Sequence, residues 1–245
     1  IDLSDSSNIE VVPLEMDAHD PRVLYYGTNR VYRSTNGAEY WQPISPTLTQ
    51  SWSFLTAIGL SSSDDQVVYA GGATGEIWVT SDGGVNWHWI DASLPNRWVT
   101  RVAVDPEDAA VAYVTLSGYE MTAITTPHIY RTTDYGTNWV DISSNLPDAP
   151  INDVIVDPFR TETLYVGTDV GVFRSNDIGG HWTSFGSGMP INVVTDLDYH
   201  PPTRMLVAGT YGRSIFKTNT EPATRRAPRR VMPGGAKVHE SESDP

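Results

Sequence analysis

The chain has 245 residues, a formal net charge of −14 and no cysteine. Disulfide scaffolds, thiolate zinc sites, iron–sulfur clusters and cysteine nucleophiles are thereby excluded. So is a membrane-spanning helix, because no run approaches the roughly 18 apolar residues one needs. A chain of this length can bury about 70–75% of its unfolded surface, so it needs no covalent or metal staple.

The charge is uneven. Residues 222–245 carry five basic and three acidic groups, a local +2 that leaves −16 for the other 221 residues. Such an acidic body repels phosphate backbones, so nucleic acid is not an expected partner. The chain opens at Ile1 with no Met and no charged-then-apolar leader, which reads as processing or as a piece of something longer.

In chain order, one module recurs. A tyrosine in a short β-type run stands at Tyr25, Tyr69, Tyr113 and Tyr165, and Val207 takes its place in a fifth copy. The intervals are 44, 44, 52 and 42 residues, the long one containing an insertion from Gly118 to His128. Each unit reads as strands A, B, C and D. Strand A alternates, with apolar residues at one parity: Leu14/Met16, Ile58/Leu60, Val102/Val104, Val154/Val156 and Leu197/Tyr199. That pattern predicts an inner strand with one side packed on a neighbour and the other toward a central channel. Short strands at a period near 44 predict an all-β propeller of four-stranded blades. The blades are expected at 10–45, 54–91, 98–143, 151–186 and 193–220, within a domain spanning 1–221. The fifth unit lacks a D strand, and residues 1–9 could supply one. Either five blades close a ring, or the chain is the C-terminal part of a larger ring.

The segments closing the first four units are STNGAEYW, TSDGGVNW, TTDYGTNW and SNDIGGHW. They resemble the Asp-box (BNR) motif, S/T-x-D-x-G-x-x-W. That motif occurs in sialidases, sortilin-type receptors, xyloglucan-active glycosidases and the photosystem II assembly factor. Asp82/Gly84/Trp87, Asp134/Gly136/Trp139 and Asp177/Gly179/Trp182 match it fully, whereas the first copy has Asn36 and Ala38 before Trp41. The run from Val193 to Lys217 resembles the last blade of secreted bacterial members. The resemblance implies a C-to-D turn in which Asp accepts turn N–H groups, Gly takes positive φ and Trp seals adjacent blades. It implies an extracytoplasmic location. It does not choose a function, since enzymes and receptors share it.

Function is expected on the face carrying the D-to-A and B-to-C loops. Binding candidates there are Trp52, Arg97, Trp98, Tyr119, Glu120, Tyr211 and Arg213. At one level of the channel, Pro13, Ala57, Arg101, Asp153 and Asp196 align. Arg101 with the two aspartates could hold a polar ligand, or Arg101 could pair with Asp153 or Asp196 as a structural ion pair. Asp153 and Asp196 are also the only carboxylates nominated for glycosidase acid/base work, but the N-terminal arginine motif of sialidases is missing. No cofactor is expected, and the histidines show no metal spacing. The expected role is a non-catalytic interaction or accessory subunit of a larger assembly. Its protein partner would be met through the 118–128 insertion and the basic tail with Arg225, Arg226, Arg229 and Arg230. The alternative is a carbohydrate-active enzyme or glycan-binding module.

Overall fold

The structure is a computed structural model, and it describes residues 12–50, 52–90, 94–118 and 128–220. The candidate closing strand 1–9, Tyr119, Glu120 and the tail arginines lie outside the described residues.

Nineteen strands form five antiparallel sheets in strict chain order. Blade 1 holds β1 (Leu14–Met16), β2 (Leu24–Gly27), β3 (Val31–Ser34) and β4 (Gln42–Pro43). Blade 2 holds β5 (Leu55–Leu60), β6 (Val68–Gly72), β7 (Ile77–Thr80) and β8 (His88–Trp89). Blade 3 holds β9 (Val99–Val104), β10 (Ala112–Leu116), β11 (Ile129–Thr132) and β12 (Val140–Asp141). Blade 4 holds β13 (Ile151–Val156), β14 (Leu164–Thr168), β15 (Gly171–Ser175) and β16 (Trp182–Ser184). Blade 5 has three described strands, β17 (Val194–His200), β18 (Met205–Thr210) and β19 (Ser214–Asn219). The single helical element among the described residues is a 3₁₀ turn, Pro201–Thr203, that joins β17 to β18.

The cores lie between blades rather than within them. Tyr25, Val31 and Leu48 of blade 1 cluster with Leu55, Ile58, Val68 and Ala70 of blade 2. The pattern repeats for blades 3 and 4, where Tyr113, Ile129 and Ile142 meet Val154, Val156, Leu164 and Trp182. The repeating tyrosines are the distal-face residues of this packing and are essentially buried, Tyr69 at 0% and Tyr165 at 0% exposure. Each such ring removes on the order of 150–250 Å² from water.

The closing segments build the C-to-D turns. In blade 2 the Thr80 hydroxyl donates to Asp82 Oδ1 at 2.8 Å and accepts the Gly84 N–H at 3.0 Å; Asp82 Oδ1 also accepts the Asn86 N–H at 2.8 Å. Blade 1 makes the same turn with Asn36, whose Oδ1 accepts from Ser34 Oγ at 2.9 Å and from the Tyr40 N–H at 3.0 Å. An amide oxygen therefore replaces the carboxylate without loss of geometry. Gly84, Gly136 and Gly179 sit at φ of +97°, +82° and +84°. A Cβ on Gly84 would lie 2.5 Å from the Ile44 carbonyl oxygen, and one on Gly179 would lie 2.8 Å from that of Ile142. In blade 1, where the described residues include no preceding blade, Ala38 occupies this position at φ +70°.

One expectation fails. Leu14 and Met16 were expected to pack on a neighbour, but each is 58% exposed. No described blade covers the proximal face of blade 1, so the strand pattern is present while its partner surface is not among the described residues.

Candidate functional site

The five inner strands face a common channel. A cavity of about 260 Å³ is lined by residues of all five, including Pro13 and Glu15, Ala57, Arg101, Asp153 and Asp196. Register shifts at Leu55/Ala57, Ile151/Asp153 and Val194/Asp196 mark bulges at the loop ends of β5, β13 and β17. A bulge re-aims the side chain that follows it, and here those side chains are the channel residues.

Arg101 is the hub of this level. Its Nε lies 3.2 Å from Asp153 Oδ1 and its Nη1 3.2 Å from Glu15 Oε1. The Asp153 side chain is almost fully buried, and its two oxygens also accept backbone N–H groups, Val154 at 2.7 Å and Leu197 at 2.8 Å. The carboxylate thus joins blade 3 to blade 5 through blade 4. Burial pushes the Asp153 carboxyl up, to about 6, against Arg101 and these two N–H donors. Burial also raises Glu15, partly offset by Arg101. For Arg101 itself burial works against the charge, and Asp153, Glu15 and Asp196 more than compensate, so the guanidinium stays ionised. Asp196 is exposed and its carboxylate has no hydrogen-bond partner among the described residues.

Of the two pairings open from the sequence, the geometry contains Arg101–Asp153. It adds Glu15, which the sequence alignment missed by placing Pro13 at this level. Glu15 lies two residues further along β1 with the same parity as Pro13, and strand alternation alone aims it into the channel. Chemically the arrangement is an ion-paired plug. Asp153 has both oxygens committed, which suits it poorly to proton donation or nucleophilic attack.

The channel mouth on the loop face differs in character. A cavity of about 280 Å³ is bordered by Trp98, Thr56, Thr100, Asn152, Asp169, Val193 and Thr195. Trp98 stands edge-on to Phe54, with centroids 5.3 Å apart and planes at 82°. Asn152 Nδ2 donates to Asp169 Oδ1 and to the Val194 carbonyl, both at 2.9 Å. Trp52 and Tyr211 are 66% and 77% exposed on the same face, and Arg213 is exposed beside Tyr211.

Arg97 does not belong to this open set. Its guanidinium donates to the Ser117 carbonyl, to the Gly118 carbonyl at 3.0 Å and to His128 Nδ1 at 2.7 Å. With Nδ1 accepting from Arg97, the His128 Nε2 carries the proton and donates to Asp148 Oδ1 at 2.9 Å. Arg97, His128 and Asp148 therefore clamp the base of the insertion, and Arg97 is an anchor rather than a free contact. Among the described residues, no cluster of three or more His, Asp or Glu side chains is placed to hold a metal, and no helix is long and apolar enough to cross a membrane.

No protein-family model and no curated protein matches the chain. Solved structures do. A GH74 xyloglucanase from Xanthomonas campestris superposes with TM-score 0.66 at 16% identity, covering 84% of this chain and 36% of that one. The outer-coat vertex of COPII on membranes gives 0.66 at 12% identity, over 91% of this chain and 61% of that one. YCF48 bound to D1 peptide gives 0.53 at 14% identity, over 87% and 71%. The chain spans about a third of the length of the xyloglucanase it matches. At these identities the likeness is one of fold, and the fold is a β-propeller. Its propeller neighbours include glycoside hydrolases and coat or peptide-bound proteins alike.

Proposed function

We propose that the chain is a non-catalytic, extracytoplasmic Asp-box propeller that serves as an interaction or accessory subunit of a larger assembly. The observation that carries this is the division of labour between channel and rim. The charged groups in the channel are largely spent on one another, while the loop face exposes Trp98 at the mouth and carries the exposed Trp52 and Tyr211 on its loops. Large aromatic side chains on a rigid rim are the usual anchors of protein interfaces. The turn geometry, with Asp82, Asp134 and Asp177 each receiving a hydroxyl and a backbone N–H, supports the Asp-box assignment. Contact through the 118–128 insertion is part of this reading, as is contact through Arg225, Arg226, Arg229 and Arg230 of the tail.

The test is affinity isolation of the native protein, repeated with Trp98→Ala and Tyr211→Ala. A specific companion lost in both variants, with thermal stability kept, supports the reading. A companion retained at full yield by both variants would falsify the loop-face assignment.

A second reading rests on one observation. Trp98 with Thr56, Thr100, Asn152 and Asp169 around a cavity of about 280 Å³ combines an aromatic plane with neutral and acidic hydrogen-bonding groups. That is also the chemistry of a glycan-binding site. A glycan array with a hydrolysis screen separates the two, since saturable sugar binding abolished by Trp98→Ala favours the second.

A further inference from the structure

The closing turn of blade 1 carries the one asparagine of the chain that is followed by glycine, Asn36–Gly37. The other closing turns hold an aspartate at this place, Asp82, Asp134 and Asp177. A side-chain amide beside glycine is chemically labile, because no Cβ keeps the following backbone nitrogen away from the amide carbon. Both residues are exposed, and a Cβ on Gly37 would meet nothing within 4 Å, so water reaches the pair freely.

The reaction balances with water as its only co-reactant. The Gly37 nitrogen gives up its proton and attacks Asn36 Cγ. The new N–Cγ bond closes a cyclic imide, Cγ–Nδ2 breaks, and the amide nitrogen leaves as ammonia with a proton in place of the lost bond. Water then opens the imide at either carbonyl. Opening at Cγ restores the main chain and leaves aspartate, whereas opening at the backbone carbonyl routes the chain through Cγ as isoaspartate. The fold opposes the first step. The Gly37 N–H is held by the Arg22 carbonyl at 2.9 Å. The matching N–H groups of Gly83, Tyr135 and Ile178 are held by Gln66, Ala110 and Glu162 at 3.0, 3.1 and 3.0 Å, so this bond belongs to the turn itself. The carboxamide is pinned as well, its Oδ1 accepting from Ser34 Oγ at 2.9 Å and from the Tyr40 N–H at 3.0 Å. Attack requires the nitrogen to shed the proton that Arg22 holds, and the carboxamide to turn onto that nitrogen against both of its donors.

We propose that Asn36 is a deamidation site of this chain, held in check by its own closed turn and released when blade 1 opens. The products differ in fate. Aspartate keeps an oxygen where Asn36 already holds one and reproduces the geometry of Asp82, so blade 1 gains a complete box and one negative charge. Isoaspartate adds a backbone atom inside the turn and cannot keep both the Ser34 and the Arg22 bonds. The pair therefore records each opening of the first blade in covalent form. This chemistry is independent of the loop-face reading above.

The test is peptide mapping by mass spectrometry of the full chain aged in mildly alkaline buffer, with and without urea. In urea the peptide containing Asn36 should gain the mass of an amide-to-acid change, and its isoaspartate fraction should accept methyl label from isoaspartyl methyltransferase. In the native fold the conversion should be at least about tenfold slower, because it waits for a local opening. Ser34→Ala, which removes one donor to Asn36, should speed conversion in native buffer and leave the rate in urea unchanged. Gly37→Ala should suppress conversion in urea. Conversion as fast in the native fold as in urea overturns the check by the turn, and no conversion in urea overturns the site. Should Ser34→Ala fail to fold, the native sequence still decides. Its conversion in sub-denaturing urea should rise in step with hydrogen exchange at the Gly37 amide, and a flat rate across that series overturns the proposal.

Discussion

At the scale of single residues, two kinds of carboxylate titrate in opposite directions. Asp153 holds its proton up to about pH 6 in the fold, whereas an unfolded aspartate releases it near pH 4. Folding therefore takes up a proton between those values, and this contribution to stability falls as pH rises from about 4 to 6. Urea midpoints across that window should fall for the native sequence relative to Asp153→Asn. Asp82 behaves conversely. Hydrogen bonds from the Asn86 backbone and side chain, then from Thr80, hold it at about 2. Its stabilisation is complete above about pH 4 and is lost as pH falls toward 2. Asp82→Asn should abolish that acid-side dependence while keeping the turn, as Asn36 already does in blade 1. Arg101→Ala should cost about 2 kcal/mol, between the value of an exposed pair and that of a fully buried one, since the Arg101 side chain is 35% exposed. This level of the channel was half legible in the sequence. Arg101 and Asp153 stood in register, but the alignment by repeats gave blade 1 a proline there, and only the pleat reveals Glu15. That Arg97 is an anchor was not legible, because His128 and Asp148 come near it only in three dimensions.

At the scale of the element, the closing turn explains which glycines are required. A Cβ on Gly37 would meet nothing within 4 Å, while one on Gly179 would meet the Ile142 backbone. Gly37→Ala should cost only the left-handed penalty, about 1–2 kcal/mol. Gly179→Ala adds a collision between blades, and its loss should exceed that of Gly37→Ala by about 1–3 kcal/mol in equilibrium denaturation. Trp182→Ala removes the largest fully buried side chain among the described residues and should cost about 3–5 kcal/mol. Trp182→Phe should recover most of that, falling short by about 1 kcal/mol for the lost bond to Ile142. The elements themselves were readable because strand alternation and turn residues repeat four times over. What could not be read was whether each apolar face has a neighbour. Leu14 and Met16 carry the same pattern as Ile58 and Leu60, yet only the latter pair is covered.

At the scale of the whole molecule, the blades are unequal. Blades 2 to 4 are held on both sides, whereas blade 5 presents Asp196, Asp198 and Lys217 where blade 4 presents Asp153, Ile155 and Arg174. Val207 likewise takes the place of a buried tyrosine. Amide exchange followed by mass spectrometry should find β19 the least protected of the long strands, since strands with mostly exposed side chains open first. Uniform protection across β6, β10, β14 and β19 would contradict that ordering.

The direction of the tryptophan clamps has a consequence for how the protein is made. The indole N–H groups of Trp87, Trp139 and Trp182 donate to the carbonyls of Ile44, Ile90 and Ile142, so in all three the acceptor precedes the donor along the chain, by 43, 49 and 40 residues. Synthesis proceeds from the N-terminus at about 5–20 residues per second, so every acceptor is translated roughly 2–10 seconds before its donor. Each new blade can dock on a finished one as it emerges, without waiting for the stop codon.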